Sequence, residues 1–423
     1  MGNGKIALMN AALMIIGDEI LIGQVRDTNS GYIADALVRV GVDLTKIITV
    51  GDEIEAIVDV LRDFSGEYDH VIITGGLGPT KDDITKNAFL KYFGGELILH
   101  QDLLQSLKDR FAERGWEFHD SNIGQAEYPD SCSIIPNGLG SAQGMHFQKE
   151  GSEFYSLPGV PHEMYKILDE WVIPYINIRN KSKGQIIKYK TIGTVGIGET
   201  GIAEIVESYR EKFDNLSIAY LPGYDGVRVR LTAKGTDESH VDDRLDESLR
   251  MLDSELSRYT YSTDGETLQE VVKKEMIGNK LTLSVAESCT GGMIQDIITL
   301  VPGASEYFLG GIVSYSNDVK ISQLGVKRET LQKEGAVSPA TVVEMAQGVR
   351  ERFQSSIGLS ITGIAGPGGG TKAKPVGLVY IGYSDSRESD SVKYQFGDTR
   401  EINKKRSAGA ALGFLWNKIK KAV

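Results

Sequence analysis

The sequence predicts an α/β protein of three domains. In the first part of the chain, apolar stretches of strand length alternate with amphipathic stretches of helical length, which is typical of a mostly parallel sheet covered by helices. A similar strand, glycine turn and helix pattern returns after residue 260, and the alternating strand GVRVRLTAKG lies between. We therefore predict an N-terminal parallel-sheet domain over 1–175, an α+β connecting domain over 176–260 and a C-terminal α/β domain over 261–423.

The N-terminal elements follow from the spacing of apolar residues. The predicted strands are residues 11–16, 43–49 and 70–74. Two helices are predicted between them, because apolar residues repeat every three or four positions. Either Thr28 or Asn29 caps the first helix, and Gly41 ends it. The apolar faces of the two helices are Ile33, Leu37 and Val40, and Ile54, Ile57, Val58 and Leu61.

Two polar loops follow strands of this sheet, at the edge where open α/β sheets bind ligands. They are GDEILIGQ, residues 17–24, and TGGLGPTKDD, residues 74–83. Gly75, Gly76 and Gly78 can cradle phosphate through backbone N–H groups. The candidate ligands of a hard divalent cation are Asp82 and Asp83, with Asp18 and Glu19. The alternative for Asp82 and Asp83 is structural, because acidic residues are favoured in the first turn of a helix.

The middle segment contains the stretch GETG, residues 198–201, before a helix-like sequence. It matches the GXXG loop of KH-type RNA-binding domains, which grips phosphate. Glu199, Glu204 and Glu207 would repel phosphate at this position. We therefore expect a structural connecting domain and no direct binding of nucleic acid.

The run AESCTGG, residues 286–292, follows an apolar stretch over 281–285 and opens a helix-like segment. This places Ser288 on a strand-to-helix turn, where its hydroxyl can be exposed while backbone N–H groups face a developing oxyanion. Lys320, in the run YSNDVK, is a candidate base. The alternatives are that Ser288 merely caps a helix and that Lys320 is a solvated surface residue. Cys289 is a rival nucleophile, although its side chain should turn away from that of Ser288.

These motifs resemble the C-terminal domain of the CinA (competence/damage-inducible) family over residues 262–420. The resemblance rests on AESCTGG, GGIVSYSNDVK, GAVSPATVVEMA, SITGIAGPGGGTKAKPVGLVY and GDTR, in family order. Amidases of this family remove the amide of nicotinamide mononucleotide without a cofactor. The resemblance implies Ser288 as nucleophile, Lys320 as base, Tyr315 as a supporting hydroxyl and Arg400 as a substrate or transition-state contact. The substrate contacts that it implies are Cys289, Thr290, Gly291, Gly292, Thr362, Gly363 and Gly366.

A lysine that acts as a base near neutrality needs a lowered pKa. The ordinary lysine pKa is near 10.4, and a value near 7 corresponds to about 4 kcal/mol of differential interaction between the two protonation states. Burial of Lys320, the charge of Arg400 or the positive end of the helix that begins near Gly291 would each lower it. Tyr315, without the resemblance, reads as a half-buried aromatic residue of a strand.

The N-terminal loops, with DTN at 27–29 and LPGVPHEM at 157–164, resemble the molybdopterin-binding-like domain of the same family over residues 11–175. In the family this domain is associated with ADP-ribose pyrophosphatase activity. The resemblance implies a divalent metal, Mg²⁺ or Co²⁺, together with K⁺, and adds Asn29 to the substrate contacts. GSAQG at 140–144 departs from the family's GTAPG-like turn, so the contacts of that loop stay open. The middle segment resembles the family's KH-like domain.

Composition narrows the function classes. The net charge is −12 and the sequence pI is about 5.2, which disfavours electrostatic binding to nucleic acid or anionic membranes. Two cysteines are too few for a disulfide framework, so we expect a protein of the reducing cytoplasm. We also expect a homodimer. The expected activities are deamidation of nicotinamide mononucleotide and cleavage of ADP-ribose. The alternatives are an N-terminal domain that handles a pterin or molybdopterin, and a nucleotide-sensing adaptor in competence or DNA repair.

Overall fold

The protein is mixed α/β, as predicted, and its chain divides into two units. In a computed structural model, the described residues are 9–78, 83–182, 186–213 and 216–422. One unit comprises the chain up to Lys188 together with residues 234–241. The other comprises residues 189–233 and 242–423. The three domains predicted from the sequence, with boundaries at 175/176 and 260/261, stay a prediction.

The strands of the first unit form a six-stranded sheet and a small two-stranded one. The strands are β1 (Asn10–Ile16), β2 (Asp43–Val50), β3 (His70–Thr74), β4 (Leu97–Leu99), β5 (Glu127–Pro129), β6 (Ser133–Ile135), β7 (Gly144–Lys149) and β8 (Ser152–Leu157). The large sheet has the order β2-β1-β3-β8-β7-β6, and β4 pairs with β5. Strands β2, β1, β3 and β8 are parallel, whereas β7 and β6 join antiparallel. The predicted mostly parallel sheet is confirmed.

Helices accompany this sheet, and most of them place apolar side chains in its core. They are α1 (Asp18–Leu21), α2 (Asn29–Arg39), α3 (Ile54–Phe64), α4 (Thr85–Phe93), α5 (Gln101–Glu113), α6 (Pro161–Ile167) and α7 (Ile173–Ser182). A π-helical turn, Leu168–Val172, connects the last two. The predicted helices are confirmed, with Ile33 and Leu37 of α2 in the core. Thr28 takes the cap position without a side-chain hydrogen bond, and Asp27 instead accepts from the Ser30 N–H at 3.0 Å.

A four-stranded sheet follows in the middle of the chain. It is formed by β9 (Ile186–Thr194), β10 (Leu216–Pro222), β11 (Val227–Gly235) and β12 (Thr260–Ser262), in the order β10-β11-β9-β12. The helices are α8 (Glu199–Ser208) and α9 (Glu238–Leu256). The GXXG stretch caps and begins α8, since Gly198 is the cap residue and Glu199 starts the first turn. A negative side chain therefore occupies the helix N-terminus that would otherwise favour phosphate.

The C-terminal region folds around a five-stranded sheet. Its strands are β13 (Leu283–Glu287), β14 (Phe308–Val313), β15 (Ile357–Gly363), β16 (Leu378–Ser384) and β17 (Ser389–Gln395), in the order β14-β13-β15-β16-β17. Strand β13 is parallel to both neighbours, and β16 and β17 join antiparallel. The helices are α10 (Leu268–Gly278), α11 (Met293–Thr299), α12 (Asn317–Leu324), α13 (Arg328–Glu334), α14 (Pro339–Phe353) and α15 (Arg400–Ala422).

The strand predicted over 281–285 is shifted by two residues. Leu281 lies in the turn that follows α10, where its N–H donates to the Met276 carbonyl at 2.8 Å. The apolar run alone does not reveal this hydrogen bond. Strand β13 therefore ends at Glu287 and brings Ser288 directly to its carboxyl end.

Within the described ranges, no helix has both the length and the apolar character that crossing a bilayer requires.

Helix α14 packs unusually close to the C-terminal sheet because glycines face it. A Cβ at Gly358 on β15 would lie 2.1 Å from the Ala346 carbonyl oxygen, and one at Gly382 on β16 would lie 2.5 Å from that of Val342. Backbone atoms of the helix cannot rotate away as a flexible side chain can. The helix-to-sheet distance is therefore set by the lack of side chains at these two positions.

We expect Gly358→Ala to destabilise the C-terminal region by about 1–3 kcal/mol through overpacking. Trp416 is buried there, whereas Trp116 and Trp171 are exposed, so urea unfolding followed by tryptophan fluorescence reports mainly on this region. Gly278→Ala, where a Cβ meets no atom within 4 Å, is the matched control and should change the unfolding midpoint little. Equal midpoints for both variants would contradict the close packing.

Candidate functional site

Ser288 lies on a sharp turn between β13 and α11. Its backbone N–H donates to the Ile361 carbonyl of β15 at 3.1 Å, which continues the sheet by one residue. Gly291 and Gly292 then adopt positive φ angles of 68° and 101°, a conformation that favours glycine, and α11 begins at the next residue. The turn predicted from the sequence is therefore present, and Ser288 is its first residue.

The carboxylate of Glu287 holds this turn from inside the protein. Glu287 is fully buried and accepts hydrogen bonds from the backbone N–H groups of Gly292 at 3.0 Å, Ile294 at 3.2 Å and Gln295 at 3.0 Å. The side-chain amide of Gln295 adds a fourth at 3.1 Å. The carboxylate thus satisfies N–H groups at the start of α11 that have no partner within the helix. Sequence reasoning missed Glu287, although an acidic residue ending an apolar strand before the glycine turn was a usable signal.

Lys320 is fully buried and reaches the nucleophile position. Its Nζ lies 3.1 Å from the Ser288 Oγ and donates to the Ser314 carbonyl at 2.7 Å. Ser314 in turn donates its N–H to the Glu287 carbonyl at 2.7 Å, which fixes the carbonyl that receives the lysine. Burial lowers the pKa of Lys320 to about 8. The alternative of a solvated surface lysine is wrong, and burial is the cause of the pKa shift.

Cys289 faces the core and is a poor rival nucleophile. Its thiol is buried, and burial raises the pKa of Cys289 to about 12, so the thiol stays protonated near neutral pH. Thr290 is fully buried as well, and its hydroxyl has no hydrogen-bond partner among the residues that the structure describes. Neither side chain is presented at the surface of the turn.

Tyr315 and Arg400 form the outer part of the site. The Tyr315 side chain is 63% exposed and follows the end of β14, so the expectation of a half-buried strand aromatic is wrong. Arg400 donates to the Tyr315 hydroxyl at 2.9 Å and to the Gly366 carbonyl at 2.7 Å. The structure thus brings Arg400, Tyr315 and Gly366 together, and the guanidinium connects them.

Thr362 and Gly363 have structural partners. The Thr362 hydroxyl donates to the Ala336 carbonyl at 2.8 Å, and a Cβ at Gly363 would lie 2.8 Å from the Leu378 carbonyl oxygen. These two residues therefore secure the end of β15 beside the site. Their predicted contact with substrate stays a prediction.

A cavity of about 420 Å³ lies at the carboxyl ends of β1, β3 and β8 in the first unit. Gly75, Gly76 and Gly78 line it, as does Asn29. The buried Asn29 amide donates to the Thr74 hydroxyl at 3.2 Å and to the Gly159 carbonyl at 2.9 Å, which ties α2 to the loops after β3 and β8. Ser141 and Ala142 of the GSAQG turn also line the cavity.

The predicted metal ligands do not form an ion site among the described residues. Within the described ranges, no group of three or more His, Cys, Asp or Glu side chains is arranged to hold a metal. Asp82 lies outside the described ranges. Asp83 accepts from the Gly78 N–H at 2.7 Å, and Asp18 accepts from the Asp52 N–H at 3.3 Å. Burial raises the pKa of Asp52, and the charges of Asp18, Glu19 and Asp83 add to that rise. These carboxylates are neighbours, but the described ones do not form a complete ligand set.

Three family models match successive parts of the chain. Residues 12–178 match the "Probable molybdopterin binding domain", 189–262 match the "Damage-inducible protein CinA KH domain", and 265–419 match the "CinA C-terminal domain". A crystal structure of the protein CinA from Thermoplasma acidophilum, described as having unknown function, is 32% identical. It covers 40% of this chain and 98% of its own, with a TM-score of 0.37.

Curated relatives match almost the whole chain. A CinA-like protein of Cytophaga hutchinsonii is 38% identical over 411 residues, which cover 97% of this chain and 98% of the relative. A CinA-like protein of Flavobacterium psychrophilum is 38% identical over 419 residues, which cover 98% and 99%. Because this identity extends across all three matched regions, the chain belongs to the CinA family of competence/damage-inducible proteins.

Proposed function

We propose that the C-terminal region hydrolyses the carboxamide of nicotinamide mononucleotide to nicotinate mononucleotide and ammonia. The observation that carries this proposal is the distance of 3.1 Å between the Lys320 Nζ and the Ser288 Oγ. A buried lysine with a pKa of about 8 exists in part as a neutral amine near neutral pH. A neutral amine is the form that can accept the proton of a serine hydroxyl.

The first half of the reaction transfers the acyl group to the enzyme. Lys320 takes the hydroxyl proton of Ser288 as the Oγ attacks the carboxamide carbon, and a C–O bond forms. Backbone N–H groups of Cys289 and Thr290, which follow the nucleophile in the turn, are the candidate donors to the oxyanion. The C–N bond then breaks, and the proton held on Lys320 leaves with ammonia.

The second half returns the enzyme to its starting state. Water attacks the acyl ester, and Lys320 takes one of its protons and gives it back to the Ser288 oxygen as the C–O bond breaks. Arg400 and Tyr315 lie at the exposed side of the site, where they can contact the remainder of the nucleotide. All the groups that move protons in this scheme belong to the protein.

Ser288→Ala should reduce deamidation of nicotinamide mononucleotide by about a thousandfold or more, because the acyl group then has no acceptor. Cys289→Ala is the matched control and should keep most of the activity, since the thiol is buried and protonated. The measurement is ammonia release at saturating substrate. The opposite ranking of the two variants would remove Ser288 from the nucleophile position.

The pH dependence of the amidase should follow Lys320. Burial lowers the pKa of this lysine to about 8, so the neutral base gains population as the pH rises through that value. We expect kcat/KM to fall about tenfold for each pH unit below 8 and to level off above it. Lys320→Met should lose the activity, because a thioether cannot take up the proton. A pH-independent wild-type rate would contradict a titrating lysine base.

For the first unit we propose a second activity, cleavage of the pyrophosphate bond of ADP-ribose to AMP and ribose 5-phosphate. The glycine-lined cavity at the carboxyl ends of parallel strands supports this, because backbone N–H groups there can receive phosphate. The alternative ligand is a pterin or molybdopterin, and the description of the matched family model, a probable molybdopterin binding domain, supports this alternative. The described carboxylates do not complete a metal site by themselves, and the proposed cleavage uses a divalent cation, Mg²⁺ or Co²⁺, together with K⁺.

A chelator should abolish ADP-ribose cleavage and leave deamidation unchanged, because the proposed amidase uses only protein groups as base and oxyanion donors. The double variant Asp82→Asn, Asp83→Asn should have the same selective effect as the chelator. Both reactions are measured on the same enzyme with ammonia and AMP as separate products. Loss of deamidation together with ADP-ribose cleavage would mean that the two chemistries share one site.

A further inference from the structure

The ammonium group of Lys404 on α15 has no partner among the residues that the structure describes. The two basic residues that follow it are paired, Lys405 with Glu401 at 2.7 Å and Arg406 with Asp398 at 3.5 Å. The half-buried ammonium of Lys404 makes no ion pair or hydrogen bond with any residue that the structure describes. A half-buried cation without a counter-charge is costly to the folded protein unless a ligand supplies one.

The position of this ammonium is at the turn that presents the nucleophile. A Cβ placed on Gly291 would lie 3.8 Å from the Lys404 Nζ. Apart from Gly291 and its two chain neighbours, no other described residue has a heavy atom within 4 Å of that Cβ. The space between the turn and α15 is therefore open at this point. Gly291 is three residues after Ser288, so a ligand in this space is also close to the proposed reaction centre.

The neighbouring charged groups offer Lys404 no counter-charge. Arg400 lies one helical turn before Lys404 and therefore on the same side of α15, but its guanidinium donates to Tyr315 and Gly366. The carboxylate of Glu287 is buried behind the turn and fully used by four N–H donors. The open space thus has an unpaired positive charge at its wall and no unpaired carboxylate among these groups.

We propose that Lys404 binds the phosphate of the substrate and makes the amidase prefer nicotinamide mononucleotide to nicotinamide riboside. This inference rests on the proposed amidase function and names the residue that sets its substrate class. An ammonium donates charge-assisted hydrogen bonds to phosphate oxygens, which the riboside lacks. In a chain with a net charge of −12, such a local cation also offsets the repulsion of an anionic substrate.

The test compares the two substrates in Lys404→Ala. We expect kcat/KM for the mononucleotide to fall about ten- to hundredfold while that for the riboside stays within about twofold, so that the preference is lost. Lys404→Arg should restore most of the preference, because a guanidinium also binds phosphate. Lys405→Ala is the matched control, since it removes one positive charge from the same helix turn, and it should leave the ratio of the two substrates unchanged.

A binding measurement separates this inference from the proposed reaction. In the Ser288→Ala background, calorimetry with nicotinamide mononucleotide should show about ten- to hundredfold weaker binding when Lys404→Ala is added, and no change with the riboside. If the wild-type enzyme does not deamidate the mononucleotide but Lys404→Ala still weakens its binding selectively, the proposed function is overturned and the phosphate contact is retained. An equal loss for both ligands, or no loss for either, would overturn the role of Lys404.

Discussion

The buried carboxylate of Glu287 is the interaction on which the C-terminal site depends. Its side chain accepts four hydrogen bonds from the start of α11 and so fixes the turn that carries Ser288. Its backbone carbonyl accepts the N–H of Ser314, whose own carbonyl accepts the Lys320 ammonium group. One residue therefore positions both Ser288 and Lys320, the proposed nucleophile and base. The four donors offset the large cost of burying a carboxylate away from water.

Burial then gives Lys320 its chemistry. The two oxygens that it contacts, of Ser288 and Ser314, belong to uncharged groups, so neither balances a full positive charge. Removal from water consequently favours the neutral amine and lowers its pKa to about 8. The same burial that would be a defect in a structural lysine makes this one suited to proton transfer. Lys404 differs because it stays half-buried beside open space, where we propose that it binds phosphate.

The two candidate sites use one architectural rule for different ends. Each lies where parallel strands end and a glycine turn leads toward a helix, which leaves backbone N–H groups facing a ligand. After β3, glycines line a cavity, for which we propose a phosphate ligand, whereas after β13 the turn brings the Ser288 hydroxyl beside Lys320. The KH-like middle domain contains a comparable glycine pair, but Glu199 occupies its helix start. The side chain added to each turn thus decides what the turn can do.

The sequence by itself determined the α/β class, the alternation of strands and helices in the N-terminal region, the Ser288 turn and the family. These features can be recognised in the sequence because the periodicity of apolar residues and the glycine motifs are local. It did not determine the burial of Lys320, the exposure of Tyr315 or the role of Glu287. Ser288 and Lys320 are 32 residues apart, and their contact joins the turn after β13 to helix α12, two elements that are separate in the sequence. Burial and hydrogen bonding depend on such neighbours from distant parts of the chain. Only the tertiary structure therefore decided which candidate residues meet and in which protonation state.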